Sequence, residues 1–129
     1  MEDISEWCVD LNSNKKSIIV EGPKDKNSLR AVGISNKIYV LSKKPLFSII
    51  ENIAGNTIDI VILTDFDKKG RELYGRLSSG LQRLGVRVDN RMREWLQKNT
   101  RLSHIEGLAA YLNKYVNNNA YNNLKRNLM

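Results

Sequence analysis

Apolar residues recur along this chain at two alternating spacings. Ile4, Trp7, Cys8 and Leu11 fall three and four residues apart and predict an amphipathic helix over 3–11. A polar connection, Asn12-Ser13-Asn14-Lys15-Lys16, leads into Ser17-Ile18-Ile19-Val20, a β-branched run of the kind a buried parallel strand uses. Glu21-Gly22-Pro23 stops that strand. A short helix from about residue 24 or 25, with Leu29 and Val32 turned inward, ends near Gly33. The unit then repeats. Lys37-Ile38-Tyr39-Val40-Leu41 reads as a second strand, and Pro45 opens a helix carrying Leu46, Ile49, Ile50 and Ile53 that closes near Gly55. Residues 57–63 (TIDIVIL) form the strongest strand pattern, followed by the turn TDFDKKG at 64–70. A helix over 71–84 aligns Leu73, Leu77, Leu81 and Leu84 and ends at Gly85, and Val86-Arg87-Val88 reads as a fourth strand.

Strand and helix alternating with short breaks predict an α/β fold: a four-stranded, mainly parallel sheet covered by helices. Right-handed crossovers gather the strand C-termini on one edge. Beyond residue 90 the pattern is helical without strands, over 91–98 (Met92, Trp95, Leu96) and 105–116 (Leu108, Leu112, Tyr115). Residues 113–129 hold seven asparagines in seventeen positions, a composition that favours turns and predicts a loose tail. The expected organisation is one domain over 1–129, with a core at 17–88, a helical extension at 89–116 and the asparagine-rich tail at 117–129.

With 129 residues, 41% hydrophobic and 27% charged, the chain has material for one buried core and is not of a fibrous or disordered class. No apolar run reaches the ~18 residues of a membrane span. The N-terminus opens acidic, without the apolar stretch of a secretory signal. The single cysteine, Cys8, excludes an internal disulfide framework and suits a reducing cytoplasm. The net charge of +7 is unevenly distributed. Residues 1–64 hold eight basic and eight acidic side chains, and residues 65–129 hold thirteen and six. A one-sided basic excess is the footprint of a polyanion binder, although a solvated surface also produces one.

Ligands of open parallel sheets bind outside the strand C-termini. The first strand delivers Glu21 to that edge, and the third delivers Asp65 and Asp67. Three hard oxygen donors converging there make a Mg²⁺ or Mn²⁺ site, since crowded carboxylates need a cation or a shared proton. Helix capping explains one of the two aspartates, and a strand-end glutamate is commonplace alone; the set of three is harder to explain that way. Lys24, Lys26, Lys68, Lys69 and Arg71 flank both loops and are candidates for phosphate contacts. Gly22 and Gly70 would let backbone approach a phosphate. His104 is the only histidine, so no histidine cluster is expected, and a surface or structural role is the simpler reading. Cys8, Trp7 and Trp95 read as packing residues. Arg87, Arg91, Arg93, Lys98 and Arg101 form either a cationic wall or a solvated helix face.

Val20-Glu21-Gly22 after a first strand, with Leu63-Thr64-Asp65-Phe66-Asp67-Lys68-Lys69-Gly70 after a later one, resembles the Toprim domain. This is the metal-binding catalytic module of topoisomerases, bacterial-type primases, recombination-repair proteins and small RNA-maturation nucleases. The resemblance covers residues 17–88. Together with the compact length, it is greatest to small archaeal proteins made of that domain alone. It implies that Glu21 is the general acid/base of phosphoryl transfer and that Asp65 and Asp67 hold Mg²⁺, with Glu21 completing the coordination. Two departures narrow the activity. The DxDxE pattern of type IA topoisomerases has Lys69 at its third acidic position, and 129 residues supply neither a second domain with a nucleophilic tyrosine nor the template domains of a primase.

The expected function is therefore a Mg²⁺-dependent nuclease acting on RNA or DNA, alone, as a homo-oligomer or with a protein partner. The alternative is a binding module for nucleic acid or ribonucleoprotein on the same scaffold, without turnover. A phosphatase of the haloacid dehalogenase type also uses a DxD at a strand end. There the pair follows the first strand, and here it follows the third.

Overall fold

The computed structural model describes residues 1–128 as a four-stranded parallel sheet flanked by six helices. The elements are α1 (Ile4–Asn14), β1 (Ser17–Val20), α2 (Pro23–Ala31), β2 (Ile38–Val40), α3 (Leu46–Ala54), β3 (Asp59–Ile62), α4 (Lys68–Arg83), β4 (Arg87–Val88), α5 (Arg91–Asn99) and α6 (Leu108–Leu128). A 3₁₀ turn, Ile105–Gly107, precedes α6. The sheet order is β2-β1-β3-β4, with every neighbouring pair parallel. After β2 the chain crosses back to the far side of β1, so the order reverses between β1 and β3. That is the switch point at which an open parallel sheet leaves a crevice for ligands.

The pleat sends alternate residues of each strand into different layers. Ile18 and Val20 of β1, with Val61 and Leu63 from β3 and its end, pack with Trp7, Leu11, Leu29, Met92, Leu96 and Leu108 on one face. Ile19, Ile60 and Ile62 pack with Ile50, Ile53, Leu77 and Leu81 on the other. Thus α3 and α4 cover one face, and α1, α2, α5 and α6 cover the opposite one. Strands buried on both sides need continuous apolar runs, which is why Ile18–Val20 and Ile60–Ile62 do not alternate with polar residues.

The helix ends depart from the sequence pattern where capping decides them. Asp67 accepts from the Gly70 amide and starts α4 at Lys68, so Lys68 and Lys69 lie in its first turn and not in a loop. Likewise Pro23 opens α2, with Asp25 reaching back to the Gly22 amide. At the other end of α4, Gly85 adopts φ +87°, the left-handed conformation that ends a helix without a Cβ penalty. The expected loose tail is instead helical from Leu108 to Leu128, and Met129 lies outside the described residues. Val116, Ala120, Leu124 and Leu128 recur every fourth position. A helix already nucleated by the packed Leu108 propagates through asparagines at a cost of only ~0.5 kcal/mol each. Among the described residues, no helix is long and apolar enough to cross a membrane.

Gly70 shows how tightly the first turn of α4 is pressed against the end of β3. A Cβ built there would fall 2.0 Å from the Asp65 carbonyl oxygen. The Thr64 hydroxyl donates to the Gly70 carbonyl across the same contact. Gly70→Ala should therefore destabilise the protein by about 3 kcal/mol or more. Gly75→Ala, in the same helix and facing open space, should stabilise it by up to ~1 kcal/mol. Urea unfolding of the pair checks both signs.

Candidate metal centre

Glu21 follows β1 directly, and Asp65 lies just beyond β3. Parallel pairing of Ile19 with Ile62 brings these two ends side by side. The Asp65 amide donates to Glu21 Oε2 at 2.7 Å, tying the two strand ends across the switch point. Asp65 Oδ1 in turn accepts from the Ile105 amide at 2.8 Å, and the Phe66 amide donates to the Ser103 carbonyl. The 103–105 segment is thereby drawn over the acidic loop. Asp67 caps α4 with Oδ1, and its Oδ2 lies 3.3 Å from His104 Nε2.

Asp65, Asp67 and His104 each offer a ligand atom within 4.8 Å of the others, the group of three among the described residues that can hold a metal ion. This differs from the set expected from sequence. Glu21 is bonded to the Asp65 backbone beside the cluster, and His104 joins in its place. No spacing signals His104; thirty-six residues lie between it and Asp67, and only the 103–105 segment's bonds to residues 65 and 66 bring it there.

Burial raises the pKa of Glu21 most, followed among the raising causes by repulsion from Asp65, Asp67 and Asp25, while the Asp65 N–H works the other way. Asp25, only 6% exposed, is also raised, chiefly by burial and then by Asp65 and Glu106. Together with Gly22 and Lys24, these carboxylates border a shallow hollow of about 330 Å³.

The remaining candidates are placed differently from one another. Gly22 caps α2, and its amide is taken by Asp25. Gly70 has its amide on Asp67, its carbonyl on Thr64 and its α-carbon against Asp65, so its glycine serves helix–loop packing and not approach to a phosphate. Arg71 donates to the Phe66 carbonyl, closing the loop on itself. Lys68 and Lys69 are exposed.

Of Arg87, Arg91, Arg93, Lys98 and Arg101, which the sequence leaves as either a cationic wall or a solvated helix face, the first three are engaged within the protein. Arg87 pairs with Asp59, and Arg91 pairs with Asp89. Arg93 is 5% exposed, with its guanidinium 4.6 Å from the Phe66 ring and 4.7 Å from the Tyr74 ring. It donates to the carbonyls of Thr64 and Asp65, so it is the internal brace of the acidic loop. Burial lowers its pKa, against the pull of Tyr74, Glu21 and Asp65.

No family model matches the chain. A 100-residue stretch is 38% identical to the UPF0292 protein of Pyrococcus abyssi, covering 78% of this chain and 74% of that one. The chain belongs to the UPF0292 family. The family's protein from Methanosarcina acetivorans is 30% identical over 119 residues, covering 88% and 83% of the two chains. That from Methanocaldococcus jannaschii is 29% identical over 107 residues, covering 81% and 84%. These UPF0292 relatives are archaeal, as the expected likeness to a small archaeal family required. A solved protein structure from Aquifex aeolicus superposes with a TM-score of 0.74 at 29% identity, over 82% of this chain and 98% of that one.

Two outcomes follow for this UPF0292 chain. A folded-state pKa above the unfolded one means that ionised Glu21 costs stability, a cost absent in acid and complete once pH rises through the raised value. Glu21→Gln keeps an oxygen for the Asp65 amide. It should raise the Tm of the metal-free protein by a few degrees at neutral pH, with the gain gone below about pH 4; melts in chelator across pH check this. Arg93→Lys cannot stack on both rings while serving both carbonyls. It should lose about 2 kcal/mol, with faster amide exchange at residues 64–67 measured by NMR.

Proposed function

We propose that this protein is a Mg²⁺-dependent Toprim-type phosphodiester enzyme acting on nucleic acid, most simply a nuclease. The observation that carries the reading is the hydrogen bond that joins Glu21 to Asp65 at the β1–β3 switch point, beside the Asp65, Asp67 and His104 cluster. This is an arrangement of carboxylates from two strand ends that capping alone does not require. The donor set fits a divalent cation. Two carboxylates suit Mg²⁺ or Mn²⁺, and an imidazole beside them tilts the preference toward Mn²⁺.

Asp65 and Asp67 would hold the cation, with His104 beside it, and the bound metal would neutralise charge developing on a phosphodiester. Glu21 is the group to move a proton. Its Oε2 is held by the Asp65 amide, Oε1 has no protein donor among the described residues, and burial followed by the neighbouring carboxylates raises its pKa, which favours its holding a proton. Arg93 holds the loop carbonyls, so the aspartates need not reorganise when charge arrives. Lys24, Lys68 and Lys69 stand near enough to the acidic loops to meet flanking phosphates.

Thermal melts with Mg²⁺ or Mn²⁺ should show stabilisation that Asp65→Asn and Asp67→Asn remove. His104→Ala should reduce the Mn²⁺ effect more than the Mg²⁺ effect. With either metal the wild-type protein should cut RNA or DNA, and Glu21→Gln should slow cutting by roughly 10²–10⁴. Intact single- and double-stranded RNA and DNA after long incubation would falsify the nuclease reading. Binding that survives chelation in the absence of any cutting would favour the non-catalytic module.

A further inference from the structure

The folded chain uses its cations unequally. Lys16, Arg87 and Arg91 are paired with Asp89 or Asp59, Arg93 is buried, and Arg30 and Arg71 donate to backbone carbonyls. Four others gather without a carboxylate partner among the described residues. Lys43 and Lys44 from the β2–α3 loop, and Lys69 and Arg76 from α4, line one cleft of about 430 Å³. Like charges held together without counter-charge destabilise a surface and mark where an anion binds. The single acidic residue lining the cleft is Glu21.

The floor of the cleft is not polar. Leu46 and Ile49 from the start of α3 and Leu73 from α4 line it, each half-buried. Free phosphate or a simple polyanion gains nothing from such a floor. A nucleotide does, because its base is flat and apolar on its faces while its phosphates are charged. A duplex keeps base faces stacked inside and presents sugar and phosphate outward, so it cannot lay a base between α3 and α4. An unpaired nucleotide can.

We infer that the cleft between the β2–α3 loop, α3 and α4 is the seat of an unpaired nucleotide, so that the protein takes single-stranded nucleic acid, with Lys43, Lys44, Lys69 and Arg76 on the phosphates and Leu46, Ile49 and Leu73 under the base. This rests on the nucleic-acid reading above and adds the strand state and the residues that select it.

Fluorescence anisotropy of a short labelled oligonucleotide in chelator, where no cutting occurs, tests the inference apart from the nuclease. The full chain should bind single-stranded oligonucleotide at least ~10-fold tighter than a hairpin duplex. Lys43→Ala/Lys44→Ala should weaken it ~10-fold or more and lower the salt slope by about 1.4, the value for two contacts on a single strand. Leu73→Ala should erode the preference for the single strand while leaving duplex binding unchanged. Lys98→Ala/Arg101→Ala, on exposed sites away from the cleft, is the control, and melts establish that each variant folds. Equal affinity for duplex, an equal loss in the control, or competition by inorganic polyphosphate as effective as by unlabelled oligonucleotide overturns the inference. Cleft-dependent binding without metal-dependent cutting sinks the nuclease and leaves this inference standing. Cutting that ignores the cleft variants does the reverse.

Discussion

The hydrogen bond from the Asp65 amide to the Glu21 carboxylate is the joint around which the acidic edge is organised. It needs β1 and β3 to be neighbours in register, and it sets a carboxylate beside two others where a parallel sheet ends. The ionised form is disfavoured there, first by burial and then by repulsion from Asp65, Asp67 and Asp25, and the pKa of Glu21 is raised accordingly. The fold sustains this arrangement with rigid local supports. Gly70 lets α4 close on the Asp65 carbonyl, Thr64 fastens that contact, and Arg93 holds the loop from beneath. Repulsion is thus concentrated in one loop that rests on well-packed strands.

The same economy governs the positive charge. The +7 of the chain is not a uniform field. Asp59 and Asp89 neutralise the basic residues around β4, and Asp89 is held well below the ordinary carboxylate range: burial opposes this, but hydrogen bonds from Arg91 and Lys16 outweigh it. What is left over lies around the α3–α4 cleft and along exposed helix faces. The acidic loop and the uncompensated cations thus share one edge of the sheet and meet at Glu21. A metal at the carboxylates and phosphates on the cations would be mutually compatible, each reducing the repulsion suffered by the other's protein ligands.

The β-branched runs and the glycine stops made the sheet and most helix positions readable, because strand burial and helix amphipathicity are periodic and local. Glu21, Asp65 and Asp67 were readable as a group for a related reason: each stands at a strand end, and parallel strands share their C-terminal edge. Arg93 was not. On a helix of alternating charge it looks like every other surface arginine, and only the packing of α5 beneath the β3–α4 loop turns it inward. The asparagine-rich end misled in the opposite direction, since composition argues for turns while the four-residue spacing of Val116, Ala120, Leu124 and Leu128 continues a helix already begun.

By itself, the sequence determined the parallel α/β architecture and the three carboxylates at its rim, because hydrophobic period and strand-end position are properties of neighbouring residues. The tertiary structure alone decided that His104 faces Asp67, that Arg93 braces the loop, and that Lys43, Lys44, Lys69 and Arg76 surround one cleft. Those pairings join residues tens of positions apart in the chain. They depend on strand order and on which helices share a face of the sheet, and neither is encoded in any local spacing.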